Sequence, residues 1–99
     1  MSKGYWVTAY RSISDLPTLK AYGKLAQQAI VSNGGSFLVR TADAIEAHEA
    51  GRQQRVVIVE FSSFEQAKRV YASTAYQAAL QVLGTAAERD FRIVEGVAL

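Results

Sequence analysis

Ninety-nine residues, 49% of them hydrophobic and 20% charged, make a chain of single-domain size (1–99) that can close one core without metals or disulfides. Eleven Lys and Arg against nine Asp and Glu leave a net charge of +2, scattered with no basic run longer than Lys68-Arg69, so the dense phosphate-neutralising footprint of a nucleic-acid binder is missing. The absence of cysteine excludes disulfides, thiolate zinc sites and thiol catalysis. No stretch approaches the roughly eighteen apolar residues of a membrane helix, and the opening MSKGYW has no apolar leader core, so the expected location is the cytoplasm.

GYWVTAYR, residues 4–11, is rich in aromatic and β-branched side chains and reads as the first strand. In SISD, Ser14 or Asp15 can cap a helix whose first turn holds Pro17, where a missing N–H costs nothing. Leu19, Tyr22, Ala26, Ala29 and Ile30 then form one apolar stripe, which stops at Asn33-Gly34-Gly35. Gly23 inside this helix points to close packing there. SFLVRT, residues 36–41, is the second strand. ADAIEAHEAGRQQ is expected as a weak strand extension with a turn near Ala50-Gly51. RVVIVEF returns as the third strand. Ser62 with Glu65, or Ser63 with Gln66, has the capping-box spacing, and the helix it starts turns Phe64, Ala67, Val70 and Tyr71 inward. Ser73 or Thr74 caps a third helix with the stripe Tyr76, Ala79, Leu80, Leu83 and Ala87. DFRIVEGVAL, residues 90–99, is the final strand.

Strand, helix, strand, strand, helix pair, strand is the order of a ferredoxin-like βαββαβ α+β fold. Its four-stranded antiparallel sheet carries helices on one face, with the second helical region split in two. Right-handed crossovers put the first and third strands in the middle. A sheet covered on one face should alternate apolar and polar residues, but these strands are apolar on both sides. Tyr5, Val7 and Ala9 oppose Trp6, Thr8 and Tyr10, and Val57, Val59 and Phe61 oppose Val56 and Ile58. The simplest cover for the second face is another copy of the same sheet about 10 Å away, so a homodimer through the sheet face is expected.

The same elements carry a resemblance. Its residues are Gly4-Tyr5-Trp6, Tyr22, Gly34-Gly35, Phe37-Leu38-Val39-Arg40, Arg55, Val57-Ile58, Glu60-Phe61, Ser63, Ala67, Tyr71, Ser73, Tyr76-Gln77 and Val94-Glu95-Gly96. In their order and spacing the chain resembles, end to end, the family of small bacterial proteins numbered thirteen-thirty among the domains of unknown function, within the dimeric α+β barrel group. The resemblance implies a ferredoxin-like dimer and brings no activity of its own. Related barrels include haem-degrading and cofactor-free monooxygenases, muconolactone isomerase-like enzymes and proteins without known catalysis. The chain departs from the family pattern at Ser62, where Pro is common, at Thr41-Ala42, where glycines are, and at Leu83, where an Arg is.

Chemistry has few candidates. One histidine, His48, and no nucleophile elbow give no triad, and Glu46 and Glu49 lack the spacing of metal ligands. Gly34-Gly35 precedes a strand, so it is no phosphate loop. What remains is a polar-aromatic set, with Glu60, Arg40 and Tyr71 as candidate catalytic residues and Trp6, Tyr10 and Tyr76 as candidate ligand contacts. Glu60 would be a general base, Arg40 an anchor for a carboxylate or enolate and Tyr71 a hydrogen-bond donor. An even register across the strand-two to strand-three hairpin sets Arg40 beside Glu60, and a one-residue bulge would part them. The pair also has a purely structural reading as an ion pair. Two functions stay open: a cofactor-independent small-molecule enzyme of the monooxygenase or isomerase kind, and a non-catalytic dimeric metabolite-binding or regulatory module.

Overall fold

The computed structural model describes residues 2–98. The alternation that begins at Gly4 holds β1 (Gly4–Ile13) extended until Asp15 turns the chain into α1 (Leu16–Ser32). The Asp15 carboxylate accepts the Thr18 N–H at 3.1 Å, and Pro17 lies in the first turn. β2 (Ser36–Thr41) and β3 (Val56–Phe61) follow. Ser63 Oγ accepts the Gln66 N–H at 3.0 Å and starts α2 (Phe64–Ala72). Ser73 serves both helices at the next junction. Its N–H reaches the Val70 carbonyl at 3.2 Å, and its hydroxyl oxygen accepts the Tyr76 N–H in the first turn of α3 (Thr74–Leu83) at 3.3 Å. β4 (Ala87–Glu95) completes the chain.

The sheet is fully antiparallel in the order β2-β3-β1-β4, with β1 and β3 central as expected. Trp6, Thr8 and Tyr10 face the helices together with Val57, Val59 and Phe61, and the register adds Arg89, Phe91 and Ile93 from β4. Trp6, Tyr76, Phe61 and Val59 are the largest fully buried side chains. Removing side chains of Val to Phe size from water stabilises the fold by roughly 1.5–3 kcal/mol each. The rings interlock around Trp6, whose centroid lies 4.7 Å from Tyr76, 5.0 Å from Phe61 and 5.3 Å from Phe91. The Trp6 indole N–H donates to the Ala67 carbonyl at 2.9 Å and ties β1 to α2. Gly4 makes that approach feasible, since a Cβ there would sit 2.3 Å from the Ser63 carbonyl oxygen.

Four expectations change. The third helix ends at Leu83, where Gly84 takes a φ of +51° and its N–H caps the Leu80 carbonyl, so Ala87 opens β4 instead of continuing the helical stripe. The last strand therefore starts three residues before Asp90, at Ala87. The segment from Ala42 to Arg55 forms no strand extension: β2 is an edge strand with β3 as its one neighbour, and their pairing ends at Thr41–Val56. The segment is a loop whose expected turn is present, closed by the Gly51 N–H on the His48 carbonyl at 2.8 Å. Lastly, Gly23 marks no close approach, because nothing lies within 4 Å of where its Cβ would be.

The second face of the sheet is apolar at its centre and polar at its margins. Val7, Ile58 and Val39 lie near the middle, while Asp90 pairs with Arg92 at 3.0 Å on β4. No helix among the described residues is long and apolar enough to cross a membrane.

Candidate functional site

The space between α1 and the sheet is incompletely filled. Its floor is the inward row of the strands: Trp6, Thr8 and Tyr10 from β1, Val57 and Val59 from β3, Arg89 and Phe91 from β4. Tyr22, Gly23, Ala26 and Ile30 of α1 form the roof, and Phe37, Arg40 and Arg55 close one side around a cavity of about 50 Å³. A wider hollow of about 380 Å³ shares Tyr10, Tyr22, Gly23, Arg40 and Arg55 with it and adds Leu16, Leu19, Lys20, Lys24 and Gln27. Among the described residues no Asp, Glu or His lines either space, so the pair is apolar-walled and wholly cationic in formal charge.

Arg89 is the centre of this arrangement. The β1–β4 register sets it opposite Tyr10, and its guanidinium lies 5.7 Å from the Tyr10 ring, 5.2 Å from Tyr22 and 5.2 Å from Phe91. It donates to the Tyr22 phenol oxygen at 3.0 Å. No carboxylate among the described residues pairs with it. Burial draws its pKa down, but the neighbouring phenols Tyr22 and Tyr76 outweigh that and the net direction is upward, so the guanidinium stays charged.

Tyr22 and Tyr76 share a 2.6 Å hydrogen bond in the core. Burial pushes the Tyr22 phenol up, against the opposing pull of Arg89 and of the bond to Tyr76. Burial also pushes Tyr76 up, with Tyr22 adding to it. Both are therefore neutral O–H groups at neutral pH. One hydrogen occupies the bond between them, and no acceptor among the described residues takes the second. Tyr76 is fully buried and does not line the cavity, whereas Tyr22 does. Either phenol can be the donor, but an unpaired O–H costs least where an outside acceptor can reach it, which favours Tyr76 donating to Tyr22 with the Tyr22 hydrogen free for the cavity. Arg89 and Tyr22 together then form a donor pair at one end of an aromatic slot.

The six residues singled out in the sequence divide. Trp6 and Tyr10 are cavity walls and Arg40 is at its rim, stacked 4.5 Å over the Phe37 ring with a hydrogen bond to Gln27 at 3.2 Å. Tyr76 stands behind Tyr22. Tyr71 is half-buried in the aromatic cluster, 5.2 Å from Phe91 and 5.4 Å from Tyr76. Glu60 is elsewhere. A bulge at Leu38 shifts the β2–β3 register, so Arg40 pairs with Val57 on the helix face while Glu60 pairs with Ser36 and Tyr5 on the open one. The Arg40–Glu60 pair is not formed. Glu60 instead accepts the Tyr5 hydroxyl at 3.1 Å and meets Lys3 at 3.6 Å.

Arg89, Tyr22, Arg55 and Thr8 were not among the sequence candidates. For Arg89 the signal was available: Arg89, Phe91 and Ile93 alternate on one face, but a strand started at Asp90 leaves Arg89 out of the count.

No curated protein sequence matches the chain. The family model described as a domain of unknown function (DUF1330) matches residues 3–97. The fold is similar to that of the RPA0582 protein of unknown function from Rhodopseudomonas palustris, at 15% identity and a TM-score of 0.74 over 99% of this chain and 85% of that one. It is similar to SnoaB, a cofactor-independent oxygenase from Streptomyces nogalater, at 8% identity and a TM-score of 0.59 over 99% and 94%. A dimeric ferredoxin-like protein of unknown function from Thermobifida fusca gives 13% identity and a TM-score of 0.61 over 98% and 92%. At such identities the likeness shows the fold alone.

Proposed function

The chain belongs to the DUF1330 family, a domain of unknown function, and from that premise we propose that it binds a small, flat organic anion between α1 and the sheet. The observation that carries this reading is Arg89, a charge held among three rings with no carboxylate partner among the described residues. A partly desolvated cation without a counter-charge is costly, and an anionic ligand supplies what the protein does not. The charged end of the ligand meets Arg89 and the Tyr22 O–H. Trp6, Tyr10 and Phe91 are walls, Tyr76 positions Tyr22, and Lys20, Lys24, Arg40 and Arg55 draw the anion toward the mouth.

The test is calorimetric titration with benzoate and with the neutral benzyl alcohol. Benzoate should bind, benzyl alcohol should bind far more weakly, and Arg89→Met should lower benzoate affinity by roughly 10–100-fold, the worth of a charge-assisted hydrogen bond. Equal binding of the two probes would refute the reading.

A catalytic extension follows from the same donor pair. Two donors aimed at one oxygen stabilise an enolate better than its parent carbonyl, the α-proton passing to hydroxide or buffer base from solvent because no carboxylate or imidazole among the described residues lines the space. The fold's likeness to a cofactor-independent oxygenase supports this second reading. Phenylpyruvate in deuterated buffer tests it: the protein should speed exchange of the benzylic protons, and Tyr22→Phe should abolish the acceleration.

Assembly belongs to the same proposal. A second copy covers the open sheet face, packing on Val7, Ile58 and Val39, with Glu60, Tyr5 and Lys3 at the margin. The dimeric neighbour from Thermobifida fusca supports it. Sedimentation should give a dimer that Ile58→Asp converts to monomer; a monomeric parent protein would remove the proposal.

A further inference from the structure

Gly23 is an exposed position of α1 that borders the space between the helix and the sheet. Leu19 four residues before it, and Ala26 and Ile30 three and seven after it, are all buried, while Gly23 itself is exposed between them. Glycine is nonetheless among the poorest helix formers. Backbone conformation does not require it, since the positive-φ glycines among the described residues are Gly34 and Gly84. Close packing does not require it either, because a Cβ at this position would meet nothing within 4 Å. Gly4 and Gly35 differ in that respect, with neighbouring atoms at 2.3 Å and 2.5 Å of a built Cβ.

The missing side chain leaves open space. Gly23 lines both the small inner cavity and the outer hollow, and the other residues common to the two are Tyr10, Tyr22, Arg40 and Arg55. Lys20 and Lys24 flank it on the outer side. We infer that Gly23 is the size-determining doorway of the anion site: the ligand's charged end passes it to reach Arg89, its apolar body stays across it, and the absent side chain sets how broad that body can be. This rests on the anion-binding reading above and adds the route and the limit of breadth.

Three proteins and two probes test it: the parent, Gly23→Ala and Gly23→Leu, each titrated with benzoate and 4-isopropylbenzoate, with thermal melting as the control for folding. Alanine fits the free space and favours the helix, so Gly23→Ala should melt a few degrees higher and keep benzoate affinity, while its affinity for the broader 4-isopropylbenzoate falls about threefold or more. Leucine fills the passage, so folded Gly23→Leu should lose benzoate affinity by about tenfold or more. If Gly23→Leu does not fold, the alanine variant decides through the two probes. Benzoate binding by the parent that Arg89→Met abolishes but folded Gly23→Leu leaves intact overturns the doorway and keeps the anion site. So does an alanine variant that weakens neither probe. A parent that binds neither probe overturns both.

Discussion

Removing the Tyr76 hydroxyl tests the hydrogen-bond order inferred for the core. Tyr76→Phe deletes one buried bond, the 2.6 Å contact to Tyr22, and leaves Tyr22 still accepting from Arg89 at 3.0 Å. A single bond of this kind contributes about 1 kcal/mol net. For a domain of this size that corresponds to a fall of about 4–8 °C in Tm. Tyr22→Phe removes more: both bonds go, and the fully buried Tyr76 hydroxyl loses the one acceptor it has. Stranding a buried donor costs about 1–3 kcal/mol, so Tyr22→Phe should lower Tm by roughly twice as much. The double variant should cost less than the sum of the two, because they share a bond. Thermal melts followed by circular dichroism at neutral pH measure all three. A Tyr76→Phe protein as destabilised as Tyr22→Phe, or more so, would refute the assignment of Tyr76 as donor and Tyr22 as the group facing the cavity.

The raised pKa values of Tyr22 and Tyr76 predict an alkaline weakness. Their stabilising contribution is fully present below the ordinary phenol value of 10.0 and is lost as pH rises above it, since the unfolded chain gives up those protons first. Denaturant midpoints should therefore fall above about pH 10 in the parent and fall less steeply in Tyr76→Phe. Gly4→Ala should destabilise by about 3 kcal/mol or prevent folding, because the new Cβ meets backbone atoms of Ser63 and Phe64 that a side-chain rotation cannot clear; a stability equal to the parent's in urea unfolding would contradict the close approach of β1 and α2. Glu60→Gln should leave benzoate affinity unchanged while weakening the contacts with Tyr5 and Lys3 on the open face. A loss of affinity in calorimetry would return Glu60 to the binding site.

Local signals made most of the fold legible. Asp15, Ser63 and Ser73 cap the helices that their positions promised, because a cap depends on a side chain and an N–H three residues apart. Alternation in β1 and β3 identified which residues share a face, because the strand period of two needs no knowledge of the neighbouring strand. The end of α3 was misplaced because Ala87 continues the helical spacing past Gly84, and the sequence pattern carries no φ. The same error hid Arg89, which faces inward on β4 beside Phe91.

The sequence by itself determined the element order, the antiparallel βαββαβ fold, the family and the aromatic content of the core. Each follows from periodicity, caps or matching residues along one chain. Tertiary structure decided the site. One extra residue at Leu38 sends Arg40 to the helix face and leaves Glu60 on the other, a separation that depends on register between strands. Registry also brings Arg89 under Tyr10 and within reach of Tyr22, residues 67 positions apart from one another in the case of Tyr22 and Arg89. The position of Gly23 was plain from the start; that it borders empty space became visible when α1 was laid across the sheet.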